Sequence, residues 1–251
     1  MRIRVCHLYP DLFNLHGDRG NLIVLCRRAE WRGIQVDVDD VSLGEKSSFI
    51  DYDFIFLGGG AEQYLDIVVK DLQVKKPCLL EAVEEGTVLL GVSLGFQVLG
   101  AHFSAQDGTV FPGAGIFDAH AEAKVDRMKG NILLELAADL QEEVRRVGDT
   151  PLTTVVGYEN HSGRTFLGDA QPVGSVLKGW GNNGEDKTEG AVYKNAFGTY
   201  LHGPLLAKNP HLADLLLARA LSRKGESEIR LTPLNDDLEI YAHNVIKKRL
   251  L

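Results

Sequence analysis

Cysteine, methionine and tryptophan are scarce in this 251-residue chain, at three, two and two. Cys6, Cys26 and Cys78 each sit among apolar neighbours. That pattern suits reduced core thiols and argues against a disulfide framework or a cysteine metal set. No apolar run approaches the ~20 residues of a membrane span. Residues 1–6 enter a strand-like pattern directly, without the profile of a signal peptide. Dense Lys/Arg runs are missing too, and the net charge is -8, which sets aside nucleic acid and anionic membranes as main partners. No Gly-Lys-Ser or Gly-Lys-Thr occurs, so there is no P-loop. Repeats and low-complexity tracts are absent as well. A cytoplasmic setting is expected.

What is present is an apolar content of 44%, enough for one large domain or a domain with an appendage. Residues 1–222 read as that domain, and 223–251 as a helical extension packed on it or on a partner. Residues 3–9 read as a strand. A polar loop at 10–20 follows, then a helix that Asn21 can cap, with Leu22, Leu25, Cys26 and Ala29 on its apolar face. Residues 34–38 alternate like a half-exposed strand, and 53–57 are almost wholly apolar and end in three glycines, 58–60. A helical segment then reaches about Glu85, before a buried strand at 87–90. This alternation predicts an α/β fold with a mostly parallel sheet and helices on both faces. Sites in such sheets gather at the carboxyl ends of the strands. The loop after Tyr9, the glycines 58–60 and residue 93 should therefore share one rim. Short β-like pieces at 108–116, 152–158, 175–177, 191–193 and 198–201 predict an antiparallel extension of the sheet. Asn209-Pro210 opens a helix and a polar link covers 222–228. A last helix starts near Asn235, with acidic residues first and basic ones last, as the dipole favours.

The strand at 87–90 runs into Gly91-x-Ser93-x-Gly95 and an apolar helical segment. Small residues two positions either side of residue 93 permit a sharp strand-to-helix turn. Such a turn lifts a nucleophile out of the backbone and aims the next amides and the helix N-terminus at it. A nucleophile there needs a base and oxyanion donors. His202 suits the base, since it ends the strand-like Gly198-Thr199-Tyr200-Leu201 and is followed by Gly203-Pro204. His161, in the polar stretch 157–165 read as a loop, is a rival. The amides of Leu94 and Gly59 are the expected oxyanion donors. A G-x-G-x-x-G at 179–184 leads into polar residues 185–190 and no helix, so it reads as a loop and not a dinucleotide site.

An elbow nucleophile followed by a histidine, with a glycine turn upstream, resembles class I (triad-type) glutamine amidotransferases. More narrowly, the chain is similar to the glutaminase subunits of lipid II isoglutaminyl synthase, relatives of the amidotransferase domain of cobyric acid synthase. The likeness rests on Tyr9-Pro10-Asp11-Leu12-Phe13-Asn14, Gly17-Asp18-Arg19-Gly20-Asn21, the stretch 56–63, the elbow, and residues 157–164, 181–184 and 198–204. It implies a flavodoxin-like fold and hydrolysis of L-glutamine through a γ-glutamyl thioester. Residue 93 is the implied nucleophile and His202 the base, then acid. Arg127 is the implied guanidinium fork for the α-carboxylate, with Arg19 and Arg164 in reserve. Gly58 and Gln97 are implied at the glutamine site. No metal or cofactor is expected on this chain. Its ammonia would serve a separate Mur-ligase-like synthetase subunit, which holds ATP and magnesium and amidates the D-glutamate α-carboxylate of the lipid II stem peptide.

Two positions depart from the family. Its members carry cysteine at the elbow, where this chain has Ser93, and a silencing Cys-to-Ser change is the reading that follows. Many triad enzymes carry glutamate two residues after the histidine, where Pro204 stands here. His202 would then act as half of a dyad or take its orienting carboxylate from another chain. Other readings are a serine hydrolase using Ser93 and His202, a non-catalytic binding subunit, and a cobyric-acid-type amidotransferase subunit.

Overall fold

The computed structural model describes residues 1–225 and 229–251. Residues 226–228, within the expected polar link, lie outside the described residues. Along β1 (Arg2–Leu8) Arg2 and Arg4 are exposed, and the other side chains are buried. The polar loop leads into α1 (Arg19–Glu30), which buries Leu22, Leu25 and Ala29. Asp18, not Asn21, takes its N-cap position. Asn21 lies buried in the first turn, where its Oδ1 accepts the Leu206 N–H at 2.9 Å. Next come β2 (Gln35–Val41), β3 (Phe54–Leu57), α2 (Leu65–Glu84), β4 (Val88–Val92) and the short α3 (Leu94–Leu99). All four side chains of β3 are buried, as expected of a strand with layers on both faces. Phe54 and Phe56 pack with Leu25, Leu90 and Leu216, whereas Ile55 and Leu57 pack with Val68, Leu72 and Phe96.

The chain continues through β5 (His102–Ser104), β6 (Val110–Pro112), β7 (Ala119–Leu136), α4 (Ala138–Val147) and β8 (Thr154–Leu167). Then follow β9 (Gly174–Lys178), β10 (Thr188–Glu189), β11 (Ala191–Tyr193), β12 (Ala196–Thr199) and β13 (Leu201–His202). The first sheet has the order β11-β12-β4-β3-β1-β2. Its pairs are parallel except β11 with β12.

The expected antiparallel extension is thus one strand deep. The other strands form a second, mixed sheet around the long antiparallel pair β7–β8. Two further expectations change here. Residues 157–165 are not a loop but the middle of β8; Glu159, His161, Ser162 and Thr165 are polar yet buried. Residues 119–136 form one strand, interrupted by a register shift between Ala123 and Met128. That bulge carries Arg127.

After β13, α5 (Pro210–Ser222) begins with proline, whose missing N–H costs nothing there. Asn209 holds the N-cap position, as expected, but its side chain makes no capping hydrogen bond; it accepts Val156 N–H at 3.0 Å and donates to Val156 O at 2.8 Å. Leu212, Leu215 and Leu216 join the core of the first sheet to Leu134 and Val155 of the second. The last helix, α6 (Asp237–Leu250), packs on β7 and β8, where buried His243 hydrogen-bonds Thr154 Oγ1 at 3.0 Å. Buried Arg28 of α1 ties this end to the core, donating to Asp214 at 2.7 Å and Asp236 at 2.8 Å. Among the described residues no helix is long and apolar enough to cross a membrane.

Candidate active site

Between β4 and α3, Ser93 has φ 54° and ψ -115°. A side-chain-bearing residue in this region costs of order 1–3 kcal/mol and persists only where its surroundings fix it. They do so here. The Ser93 N–H donates to Thr199 O at 2.7 Å, and Ser93 O accepts the Gln97 N–H at 3.0 Å. The flanking glycines provide the room. A Cβ on Gly91 would meet Leu99 Cδ1 at 2.6 Å, and one on Gly95 would meet Leu57 O at 2.5 Å. Leu94 is the first residue of α3, so its N–H has no intrahelical partner.

His202 ends β13 opposite Tyr158 of β8, and Gly203 at φ 114° turns the chain away. Its Nδ1–H donates to Asp18 Oδ1 at 2.9 Å, with both residues buried. The second oxygen, Asp18 Oδ2, accepts the Gly59 N–H at 2.9 Å. A Cβ on Gly59 would lie 3.3 Å from Ser93 Cβ and 3.4 Å from His202 Cε1. Serine, imidazole and carboxylate therefore converge around a position that only glycine fits. With Nδ1 donating, Nε2 of His202 is the acceptor nitrogen, buried and without a partner among the described residues. A carboxylate behind an imidazole fixes its tautomer and orientation.

Asp18 belongs to this same chain, so the expected dyad or borrowed carboxylate is replaced by an internal one. Its position in the loop after β1, on the rim shared with the elbow, was the available signal. Gly59, expected as an oxyanion donor, has its N–H taken by Asp18 and is not available for that role. The next amide, Gly60, makes no hydrogen bond to the described residues. A Cβ there would run into the Phe13 ring at 2.3 Å. His16, from the same loop, packs edge-on against His202 with ring centroids 4.7 Å apart. Burial, then His202, hold its imidazole below the ordinary histidine pKa.

Ser93 opens onto a cavity of about 290 Å³, the scale of a small-ligand site. Gly59, Gly60, Leu94 and His16 line one side, whereas Arg127 of β7 and Asn160, His161 and Ser162 of β8 line the other. Glu62 and Gln97 also face it. Arg127 donates from Nε to Asn160 Oδ1 at 3.1 Å and from Nη2 to Asn160 O at 2.8 Å. Ser162 Oγ donates to Glu62 Oε1 at 3.2 Å, and Gln97 Nε2 donates to Tyr200 Oη at 2.9 Å. His161 lies flat on Tyr200, centroids 3.7 Å apart. Its Nδ1–H donates to Gly163 O at 2.8 Å, and burial pushes its pKa down to about 3. A larger groove, about 690 Å³, runs elsewhere past Asp118, Asp169 and Arg219 and contains no serine, cysteine or histidine.

Ser93, Leu94, Gln97, Arg127 and His161 thus meet at one cavity, with His202 directly behind Gly59. Gly58 is not part of its lining; a Cβ there would meet Phe13 O at 2.4 Å, so this glycine serves packing. Arg19 and Arg164 also lie outside the lining. Arg164 instead ties the β7 bulge to β8, donating to Asp126 O and Ser162 O, each at 3.0 Å. The G-x-G-x-x-G segment is a turn, as expected, pinned by Glu159, which accepts the Trp180 N–H at 2.9 Å and the Gly181 N–H at 3.0 Å. Asn160, Ser162, Glu62, His16 and Gly60 are site residues that the sequence did not single out for a role.

Residues 4–210 match the CobB/CobQ-like glutamine amidotransferase domain. The chain is 39% identical over 98% of its length, and 96% of the relative, to the lipid II isoglutaminyl synthase (glutamine-hydrolyzing) subunit GatD of Staphylococcus aureus strain N315. It is 37% identical to the subunit of the same name from Streptococcus pneumoniae R6, over 94% of this chain and 87% of that one. Among solved structures, PurLQS from Thermotoga maritima is similar in fold, with TM-score 0.57 and 18% identity over 89% of this chain and 97% of that one. An α/β sheet with an elbow serine backed by His202 and Asp18, read beside these likenesses, leads to one assignment: the chain belongs to the CobB/CobQ-like glutamine amidotransferase family, alongside the GatD subunits.

Proposed function

We propose that this chain is the glutamine-hydrolysing subunit of a lipid II isoglutaminyl synthase. One observation carries the reading. In a GatD-like chain, an elbow residue and a guanidinium fork share one small cavity, and a carboxylate-backed histidine stands against the elbow. The glutamine carboxamide sits at residue 93 and its α-carboxylate on Arg127. Residue 93 attacks the amide carbon while His202 Nε2 takes its proton, and the carbonyl oxygen becomes an oxyanion held by the Leu94 and Gly60 N–H groups. When that intermediate collapses, the C–N bond breaks and His202 returns the proton to the leaving nitrogen, so ammonia departs. Water, activated by the same histidine, then cleaves the acyl group and releases glutamate. Asp18 holds His202 in the required tautomer throughout.

Ser93 is the departure. A hydroxyl is a much weaker nucleophile than a thiolate, so the chain as it stands binds glutamine and turns it over very slowly. The serine acts as a silencing substitution for cysteine. Ammonia is consumed in the cytoplasm on a separate Mur-ligase-like subunit, which binds ATP and magnesium and activates the D-glutamate α-carboxylate of lipid II. The subunit naming of the GatD relatives supports this heterodimeric arrangement. The test is glutamate release by this chain and by Ser93→Cys, each with and without the synthetase. Release confined to the cysteine variant is expected. No release from either, beside ester cleavage by the serine form, would leave a serine hydrolase instead.

A further inference from the structure

We propose that Glu189, braced by Asn182, is a positioning residue that sets the elbow at residue 93 against His202; this rests on the glutaminase reading above, in which those two groups do the chemistry. The chain crosses between the two sheets twice beside the site. It passes from β10 of the second sheet to β11 of the first, and returns from β12 of the first to β13 of the second. The return crossing carries the site. Thr199 ends β12, and its carbonyl accepts the Ser93 N–H at 2.7 Å. His202 ends β13 three residues later. Tyr200, between them, belongs to neither strand, and its buried N–H needs an acceptor from elsewhere.

Glu189, at the outgoing crossing, supplies that acceptor. Its Oε1 accepts the Tyr200 N–H at 2.8 Å and the Thr199 hydroxyl at 2.7 Å. Thr199 Oγ1 in turn accepts the Leu201 N–H at 3.1 Å. One carboxyl oxygen therefore fixes the three residues that separate the elbow's backbone partner from the base. Glu189 is itself held through its neighbours. Asn182 Oδ1 accepts the Gly190 N–H at 2.9 Å, and its Nδ2 donates to Gly190 O at 2.9 Å and Thr188 Oγ1 at 3.0 Å. The two crossings touch, since a Cβ on Gly190 would lie 2.5 Å from Gly198 O. The turn at 181–184 lines no part of the cavity, yet it reaches the site through this relay. Glu189, Asn182 and Thr199 are all buried. Burial raises the Glu189 carboxyl to about 7, so below that pH it is an uncharged acceptor that an amide can imitate. Asp18 sets the tautomer of His202, whereas Glu189 sets where elbow and imidazole stand.

The test uses the full chain carrying Ser93→Cys, with initial rates of glutamate release, urea melts, and alkylation of the thiol at residue 93 by iodoacetamide at pH 7. Alkylation reads the contact with His202 without glutamine, because an imidazole beside a thiol favours the reactive thiolate. Glu189→Ala is expected to lower kcat about a hundredfold and to leave KM within about threefold, as a small misplacement of reacting groups does. Alkylation at residue 93 should slow about tenfold in the same variant. Glu189→Gln keeps the accepting oxygen and should restore both rates to within about threefold of the parent. Thr199→Val keeps the shape and breaks the link; it should cost about tenfold in kcat, and it carries the test if Glu189→Ala does not fold. Unchanged kcat in folded Glu189→Ala or Thr199→Val, a loss in KM alone, or a Gln variant as slow as the Ala variant would overturn the positioning role. A parent that releases no glutamate removes the glutaminase reading instead, and the alkylation rates then decide by themselves whether Glu189 holds the elbow against His202.

Discussion

One wall of the cavity is made of strand ends in a parallel sheet, where Ser93 and Gly60 each closely follow an apolar strand, with Asp18 behind them in the longer loop after β1. The other wall comes from the interiors of two long antiparallel strands, where Arg127, Asn160 and His161 are embedded in polar sequence. The first wall resembles a fixed jig: its backbone is strained at Ser93, its glycines have no room for a methyl group, and Asp18 binds both His202 and Gly59. The second is held together by side chains meeting backbone, such as Arg127 on Asn160 and Arg164 on Asp126. The difference suggests a division of labour, with bond making on the first wall and recognition on the second. Strand ends project groups at a point where charge develops, whereas a strand surface offers a row of alternating contacts along a ligand.

Variants made on a Ser93→Cys background can break or sharpen this division. His202→Ala is expected to lower kcat about ten-thousandfold with KM little changed, read from initial rates of glutamate release. Asp18→Asn should follow with a loss of about a thousandfold in kcat, since the imidazole keeps its place but loses its tautomer. Arg127→Ala should instead raise KM about thirtyfold and leave kcat within about threefold, the signature of binding lost equally in ground and transition states. A kcat collapse in Arg127→Ala, or a pure KM effect in Asp18→Asn, would dissolve the distinction between the walls.

The smallest effect concerns stability. Burial lifts Glu159, under the second wall, from 4.5 to about 7. The folded chain therefore keeps a proton that the unfolded chain releases. Stability contributed by this group is full below about pH 4.5 and is lost as pH rises toward about 7, by up to about 1.4 kcal/mol per pH unit. Glu159→Gln should flatten that slope in urea melts taken across the window. An unchanged slope would show that the polar interior of β8 carries no such cost. Glu189, raised to about 7 by its own burial, acts in the same direction and remains in the variant.

The two walls also differ in how much of them a sequence discloses. Gly91-x-Ser93-x-Gly95 after an apolar strand, and His202 before Gly203-Pro204, are local signals with local causes, and both groups stand where the spacing puts them. Asp18 and Gly60 escaped for a matter of aim. Sequence puts the loop and the glycines on the rim but not which oxygen or amide faces inward, and Asp18 consumes the very N–H that Gly59 was to offer. The second wall was harder. Residues 157–165 look like a loop because they are polar. Their burial depends on partners far along the chain, such as the 180–181 amides on Glu159 and Tyr200 beneath His161. Arg127 stood out only through family resemblance, since nothing local distinguishes a bulge arginine from a solvated one.

The central claim is that residue 93 is the group that attacks the glutamine carboxamide. Mass spectrometry of Ser93→Cys treated with an electrophilic ketone analogue of glutamine tests it most directly. The account predicts one adduct per chain, located at residue 93, suppressed by L-glutamine and slowed by His202→Ala. An adduct spread over Cys6, Cys26 and Cys78, or one at residue 93 indifferent to glutamine, would contradict it.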